Sequence, residues 1–212
     1  MPSNKSRAPR TRTALVPQRR HGKERVATLL EMGAALIAEK GYEAATMAEI
    51  AARAGSPIGS LYRFFPNKEI LAEALIQSYT GQIDEEFDKI AARAKTASTD
   101  EIADAIIDFT VNRRSEMKVI VALLDGRSDW SARRLEFRNS ALKRIAKMVT
   151  LLAPSLPARV AKDMAVILLH NMKLMKALKF HQNVATSPGA MDELRLMNRL
   201  YVAHRLAPFR PI

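Results

Sequence analysis

The sequence predicts an all-α protein with a small N-terminal helical domain and a C-terminal helical bundle. Three observations support this fold class. Apolar residues recur with the 3.6-residue period of amphipathic helices, helix-capping residues and Gly or Pro mark the helix ends, and no segment alternates like a strand. With 212 residues, 48% of them hydrophobic, the chain is long enough to bury a core.

Four helices are predicted in the first part of the chain. The first covers residues 23–40 and ends at Gly41, where a left-handed residue is expected. Thr46 and Glu49 have capping-box spacing and begin a second helix over 47–54. A third helix over 57–64 follows, with Ser56 as N-cap and Pro57 at its first position, and a fourth begins at Lys68 behind the cap Asn67.

Helix-capping residues, Gly and Pro divide the rest of the chain into four more predicted helices, over residues 100–124, 129–152, 158–182 and 190–206. We therefore expect three parts. Residues 1–21 form a flexible basic arm, residues 22–82 a helical domain whose central motif covers about 45–64, and residues 83–212 the C-terminal bundle.

The second and third helices have the pattern of a helix-turn-helix. Apolar residues lie where two crossing helices would meet, and Gly55 can adopt the positive φ that the turn requires. These apolar residues are Ile50, Ala51, Ala54 and Leu61. The pattern favours DNA binding, although two helices joined by an ordinary turn would look the same.

The charge is consistent with a polyanionic partner. The formal net charge is +12 and the pI is near 10.2. Residues 1–25 hold eight Lys and Arg and one acid, which accounts for seven of those net charges. This arm has too little apolar content to offset its ordering entropy, so we expect it to be flexible. It is either a DNA-contacting arm or a solubilising tail.

Residues 41–71, GYEAATMAEIAARAGSPIGSLYRFFPNKEIL, resemble the N-terminal domain of the tetracycline-repressor-like (TetR) family of bacterial regulators. Besides the turn, the resemblance includes the segment 59–62, Phe65 and the segment 67–69 in the family's order, and it covers about residues 22–82. One departure is Ser56-Pro57, where the family usually has an aliphatic residue followed by Ser or Thr.

The resemblance implies residue roles in DNA binding. Thr46 and Tyr62 would hydrogen-bond to phosphates, and Lys68 would place a positive charge next to the DNA backbone. A phosphate contact of the family could shift to Ser56. The exposed start of the third helix would face base edges with Pro57, Ile58, Gly59 and Ser60, with Arg63 as a groove or phosphate contact. Phe65 is expected in the core.

The resemblance also implies a homodimer on a palindromic operator, and a small-molecule effector that releases it. The dimer interface would be formed by the last two helices, with Val160, Met164, Ile167, Asn171, Leu174, Leu178, Met191, Leu194, Met197 and Tyr201 as candidates. A ligand pocket among the middle helices would be lined by Phe109, Met117, Trp130, Phe137, Met148 and Met172. Ordinary core packing is the alternative for each residue of both sets.

Other classes of protein are less consistent with the sequence. Cys is absent, and His170 and His181 would be about 16 Å apart on one helix, so neither a metal nor another cofactor is expected. Asp104 and Asp108 fall with Asp100 on what we interpret as a solvated face. No catalytic residues and no phosphate-binding loop are found, which argues against an enzyme.

The longest apolar run, Met164–Leu169, is too short to span a membrane. We therefore expect a ligand-responsive transcriptional regulator, most often a repressor in this family, in the bacterial cytoplasm and associated with the nucleoid. Two alternatives stay open: a ligand-independent DNA-binding or architectural protein, and a regulator controlled by a protein partner.

Overall fold

The structure is a computed structural model that describes residues 14, 17–94, 96–126, 130–180, 187 and 189–209. These residues form nine α-helices and no strand, which confirms the all-α prediction. The helices are α1 (Arg20–Ala44), α2 (Met47–Arg53), α3 (Ile58–Phe64), α4 (Lys68–Arg93), α5 (Thr99–Asn112), α6 (Arg114–Asp125), α7 (Ser131–Leu152), α8 (Ala158–Phe180) and α9 (Ala190–Leu206). A 3₁₀ turn over Ala207–Phe209 follows α9.

The chain divides into two compact units, Met1–Ser78 and Tyr79–Ile212, and the division falls inside α4. Most of the predicted basic arm lies outside the described residues, apart from Ala14 and residues 17–21. Arg20 and His21, which we assigned to that arm, form the start of α1.

The first unit packs around the apolar sides of α1, α2 and α3. Its innermost side chains are fully buried Leu, Ile and Phe residues, each of which stabilises the fold by roughly 1.5–3 kcal/mol. They are Leu29, Ile37, Ile50, Leu61, Phe64, Phe65 and Leu71. Gly33 permits close packing here, because a Cβ atom at this position would lie 3.3 Å from Leu71 Cδ2 and 3.7 Å from Ile50.

The first helix is interrupted where its end was expected. Gly41 has φ 83° and ψ 166°, a conformation that is open essentially to glycine alone. The expected left-handed end of the helix at Gly41 is therefore wrong: φ is positive, but ψ lies outside the left-handed helical region and helical turns resume as far as Ala44.

In the second unit, α5 packs against α8 and α9, and α7 packs along α8. One apolar cluster joins Ile107 and Val111 of α5 to Met175 of α8 and Leu194 of α9. The Nδ2 group of Asn171 donates to the Oδ1 atom of buried Asn198 at 3.0 Å, and Asn198 donates in turn to the Leu194 carbonyl. The polar group of Asn198 is thus satisfied within the core.

The single helix predicted over residues 100–124 is wrong, because Arg113 leaves helical geometry at φ −109° and ψ 37° and separates α5 from α6. No Gly or Pro marks this break. A tertiary contact accompanies it, since the Arg113 guanidinium bridges Glu86 of α4 and Glu116 of α6 at 3.3 and 3.2 Å.

The interpretation of the acidic stripe on α5 as a solvated face is also wrong for two of its three members. Asp104 accepts three hydrogen bonds from Arg199 at 2.6, 3.0 and 3.2 Å, and Asp108 accepts one from Arg195 at 2.7 Å. These contacts raise the pKa of both arginines. Two carboxylates four residues apart on α5 thus pair with two guanidinium groups four residues apart on α9, and these pairs join the two helices.

Within the described parts of the chain, no helix combines the length and apolar content of a membrane span. The same residues contain no group of three or more His, Asp or Glu side chains placed to hold a metal ion. His181 lies outside the described residues, and the exposed His170 has its Nδ1 atom 2.8 Å from the Val166 carbonyl oxygen.

Candidate nucleic-acid interface

A capping box fixes the start of α2, as the sequence predicts. The Thr46 hydroxyl oxygen accepts from the backbone N–H of Glu49, and the Glu49 carboxylate accepts from the backbone N–H of Thr46, both at 3.2 Å. The carboxylate also accepts from the Thr46 hydroxyl at 2.8 Å and from the Lys40 ammonium. The Lys40 and Thr46 bonds lower the pKa of Glu49 from 4.5 to about 2.

The turn between α2 and α3 is a Schellman motif around Gly55. The N–H of Ser56 donates to the Ala51 carbonyl at 2.9 Å, and the N–H of Gly55 donates to the Ala52 carbonyl at 3.1 Å. Gly55 has φ 57°, so the prediction of a positive φ at this position is confirmed. The motif satisfies carbonyls in the last turn of α2 and ends that helix before α3 begins.

The predicted N-cap of α3 is wrong by one residue. Pro57, at φ −56° and ψ 135°, is the N-cap, and its carbonyl accepts from the N–H groups of Ser60 and Leu61 at 2.9 and 3.4 Å. Ser56 cannot cap α3 because its backbone closes the Schellman turn, and its buried hydroxyl has no hydrogen-bond partner. That hydroxyl is not on the surface, which weighs against the predicted phosphate contact at Ser56.

The two sides of α3 differ sharply. Leu61 and Phe64 are buried against the first unit, and the adjoining Phe65 is buried as expected. The outward side is formed by Ile58 and Tyr62, which are 42% and 49% exposed, together with exposed Gly59 and Arg63. Pro57 is also exposed and Ser60 is half-buried, so α3 presents most of the predicted base-facing set at the surface.

The Lys68 ammonium is engaged within the protein. It donates to the carbonyls of Tyr42, Glu43 and Ala45 at 3.0, 3.1 and 3.2 Å, and it lies 4.4 Å from the centroid of the Tyr42 ring. Three acceptors match the three hydrogens of the ammonium group. The side chain therefore ties the start of α4 to the end of α1, and its predicted phosphate contact stays a prediction that this geometry does not favour.

A sequence signal for this role of Lys68 exists. A cation in the first turn of a helix is unfavourable to the helix dipole, so it implies a compensating partner elsewhere. The carbonyls at the end of α1 supply that compensation, because unpaired carbonyls at a helix end attract cations.

The candidate ligand-pocket residues differ in burial, and a pocket common to all of them stays a prediction. Phe109, Trp130, Met148 and Met172 are buried, while Met117 and Phe137 are half-buried. A groove of about 320 Å³ lies between α4 and α5, and Phe109 is the candidate that lines it. The other lining side chains are mostly charged, among them Glu86, Arg93 and Glu101, which the sequence did not single out.

The candidate dimer residues divide by exposure. Ile167, Leu174 and Met197 are exposed, whereas Val160, Asn171, Leu178, Met191 and Tyr201 are half-buried. Met164 and Leu194 are buried in the core of their own unit, so their assignment to a partner-facing surface is wrong for this structure. The exposed Val166, Leu196 and Leu200 were missed, although their helical spacing places them on the same outward sides.

Two short helices that cross through a glycine turn, with the second exposed along one side, define a helix-turn-helix domain. Residues 29–75 match the model of the bacterial regulatory proteins of the tetR family. The HTH-type transcriptional repressor KstR of Rhodococcus jostii (strain RHA1) is 39% identical over 74 residues. That match covers 34% of this chain and only 31% of the KstR sequence.

Solved structures extend the likeness to the whole fold. A transcriptional regulator (TerR/AcrR family) from Aquifex aeolicus VF5 has a TM-score of 0.65 at 19% identity, over 85% of this chain and 98% of that one. A TetR-like transcriptional regulator from Rhodococcus sp. RHA1 has a TM-score of 0.60 at 15% identity, over 91% of this chain and 99% of that one. Residues 29–75 are therefore similar to the helix-turn-helix domain of the tetR family of bacterial regulatory proteins, and the fold of the chain is similar to those of the two solved regulators.

The Glu49→Gln substitution tests the capping box. The pKa of Glu49 is depressed in the folded chain, so its ionised form stabilises the fold above about pH 4.5, and this contribution is lost as the pH falls through about 2. We expect the variant to melt at a lower temperature than the wild type at pH 7 and the difference to shrink in acid. Melting followed by circular dichroism across this range checks it. Glu85→Gln, at an exposed site on α4, is the matched control, and a pH-independent difference would contradict the assignment.

The Lys68→Met substitution separates the two roles of the ammonium. Loss of its bonds to the end of α1 should reduce the free energy of unfolding by about 1–3 kcal/mol. The salt dependence of DNA affinity should stay that of the wild type. Urea unfolding and binding titrations measure these two effects, with Lys162→Met on the exposed side of α8 as the control for charge. A slope shallower by about 0.9 per protomer would instead assign Lys68 to phosphate binding.

Proposed function

We propose that this protein is a transcriptional repressor of the bacterial cytoplasm and nucleoid that binds a palindromic DNA operator as a homodimer and is released by a small-molecule effector. The outward side of α3 is the observation that carries the proposal. The Gly55 turn joins α2 to α3, α3 is exposed along one side, and an α-helix is narrow enough to enter a major groove.

Base readout on this surface would depend on small and apolar groups. Pro57, Ile58 and Gly59 at the start of α3 offer contacts to thymine methyl groups, and the Ser60 hydroxyl offers a hydrogen bond. Arg63 is the side chain of α3 that can form paired hydrogen bonds with a guanine. We infer that operator choice depends on methyl contacts and DNA shape as well as on Arg63.

Phosphate contacts would orient the helix. The Tyr62 hydroxyl lies on an exposed side chain of α3 and is free to point away from the protein core. Thr46 would have to redirect its hydroxyl hydrogen from Glu49 to a phosphate, at the expense of one hydrogen bond of the capping box. These contacts fix the register of the protein on the duplex and carry no sequence information.

The homodimer is supported by the outward sides of α8 and α9. Val166, Ile167 and Leu174 are exposed on α8, and Leu196, Met197 and Leu200 are exposed on α9, while the two helices pack on each other. Exposed apolar side chains concentrated on two adjoining helices mark an interaction surface. A second copy would cover them and place two α3 helices on one operator.

The effector is supported by the groove between α4 and α5 and by the similarity of residues 29–75 to the tetR family. The lining of Glu86, Arg93, Asp108 and Arg113 around Phe109 suits a polar ligand with an aromatic or apolar part. Its binding would weaken operator affinity only if the ligand prefers the state that cannot bind DNA.

An architectural protein that coats DNA is the second candidate, favoured by the concentration of positive charge in residues 1–25. Selection from random duplexes followed by footprinting distinguishes the two. We expect a short, two-fold symmetric protected segment, and transcription should fall when that segment overlaps a promoter. Protection that spreads along any duplex would assign the coating role and contradict operator recognition.

The Leu200→Glu substitution tests the dimer surface. Leu200 is 62% exposed, so a carboxylate there is hydrated in the protomer but desolvated in a dimer. We expect the dimer dissociation constant to rise at least about tenfold, equivalent to about 1.4 kcal/mol, by sedimentation velocity. Leu135→Glu on α7, at a site 59% exposed, is the control that should leave the dimer intact. Equal effects of the two variants would rule out this surface.

A further inference from the structure

A second basic surface lies beside α3, at the start of α1. It is a groove of about 650 Å³, here called the cationic groove, lined by Arg19, His21, Gly22, Arg25, Arg63 and Phe64 together with residues 17–18. Gly22 makes room for the preceding segment, since a Cβ atom there would lie 2.9 Å from Pro17 Cβ. Residues 17–19 therefore fold back on the first turn of α1 and form one wall of the groove.

In the part of the chain that the structure describes, no acidic side chain pairs with the arginines of the cationic groove. No carboxylate side chain lines it, and no ion pair among the described residues involves Arg19, Arg25 or Arg63. Neighbouring arginines behave differently, since Arg20 pairs with Glu24 at 3.3 Å and Arg53 pairs with Glu39 at 2.9 Å. Three guanidinium groups without a counter-charge create a positive potential that favours an anion.

The position of the groove relates it to α3. An Nη1 atom of Arg25 lies 3.5 Å from the Ser60 hydroxyl oxygen, a long contact that places the guanidinium alongside the predicted base-facing side. Arg63 is one helical turn beyond Ser60 and lines the groove itself. Arg25 and His21 also line a smaller groove that reaches Ser56 and Pro57 at the start of α3. Arg25 thus flanks the length of the short helix.

We propose that the cationic groove binds a phosphodiester group of the DNA backbone next to the base pairs that α3 contacts, with Arg19 and Arg25 as its anion ligands. A helix inserted in the major groove of DNA has sugar–phosphate backbone on both of its sides. The cationic groove lies where α1 would meet one of these two backbones. This assignment rests on the proposed operator binding and extends the interface from the helix-turn-helix to the first turn of α1.

Salt titrations of the full-length protein test the assignment on its selected operator. Arg19→Gln and Arg25→Gln should each make the slope of log affinity against log salt shallower by about 0.9 per protomer. For a dimer, a fourfold rise in salt would then weaken the wild-type complex roughly tenfold more than the variant complex. Arg20→Gln is the matched control, because it removes the same charge from the same turn but does not line the groove.

The control separates this proposal from the proposed function. If the wild type binds a symmetric operator and Arg25→Gln changes the slope no more than Arg20→Gln does, the groove assignment is overturned while operator binding stands. If the wild type shows no specific DNA binding, both fail. Melting curves of each variant establish that it folds. If Arg25→Gln does not fold, Arg19→Gln still tests the assignment, since the Arg19 side chain makes no capping bond.

Two further measurements identify the source of the anion. A methylphosphonate linkage carries no charge, so replacing one phosphate of the half-site removes one anion. At one or two positions this replacement should lower the DNA affinity of the wild type. At the same positions it should not lower the DNA affinity of Arg25→Gln any further. Inorganic phosphate should raise the melting temperature of the protein no more than chloride at equal ionic strength. A stabilisation by phosphate that Arg25→Gln abolishes would assign the groove to a free anion and overturn the DNA assignment.

Discussion

Gly55 has φ 57°, and the two hydrogen bonds that close the turn around it set the direction in which α3 leaves α2. Every feature of the candidate interface depends on that direction. It buries Leu61 and Phe64 against the first unit, leaves Ile58 and Tyr62 outside, and brings Ser60 to Arg25. An L-residue at Gly55 would strain the backbone even though space for a Cβ atom exists.

Residues of the same charge have different roles in this chain because their neighbours differ. Lys68 satisfies carbonyls at the end of α1, Arg113 bridges two carboxylates where α5 gives way to α6, and Arg199 ties α9 to Asp104. Arg19 and Arg25 have no such acidic partner among the described residues, although they resemble the others in sequence. A net charge of +12 therefore says less about DNA binding than the few cations that the fold leaves unneutralised.

Local patterns predicted local structure well. The Thr46–Glu49 capping box, the Asn67 cap and the positive φ at Gly55 follow from hydrogen bonds and steric rules that span a few residues, and each is present. The prediction for Ser56 was wrong because two local rules competed. The same residue could cap α3 or close the turn after α2, and the Schellman bonds prevailed.

The sequence by itself determined the all-α class, most helix limits and the exposed outward side of α3, because 3.6-residue periodicity and capping act over one or two turns. Only the tertiary structure decided the break at Arg113, the carbonyl partners of Lys68 and the ion pairs of Asp104 and Asp108. These features join residues between 23 and 95 positions apart, and such contacts form only when helices pack.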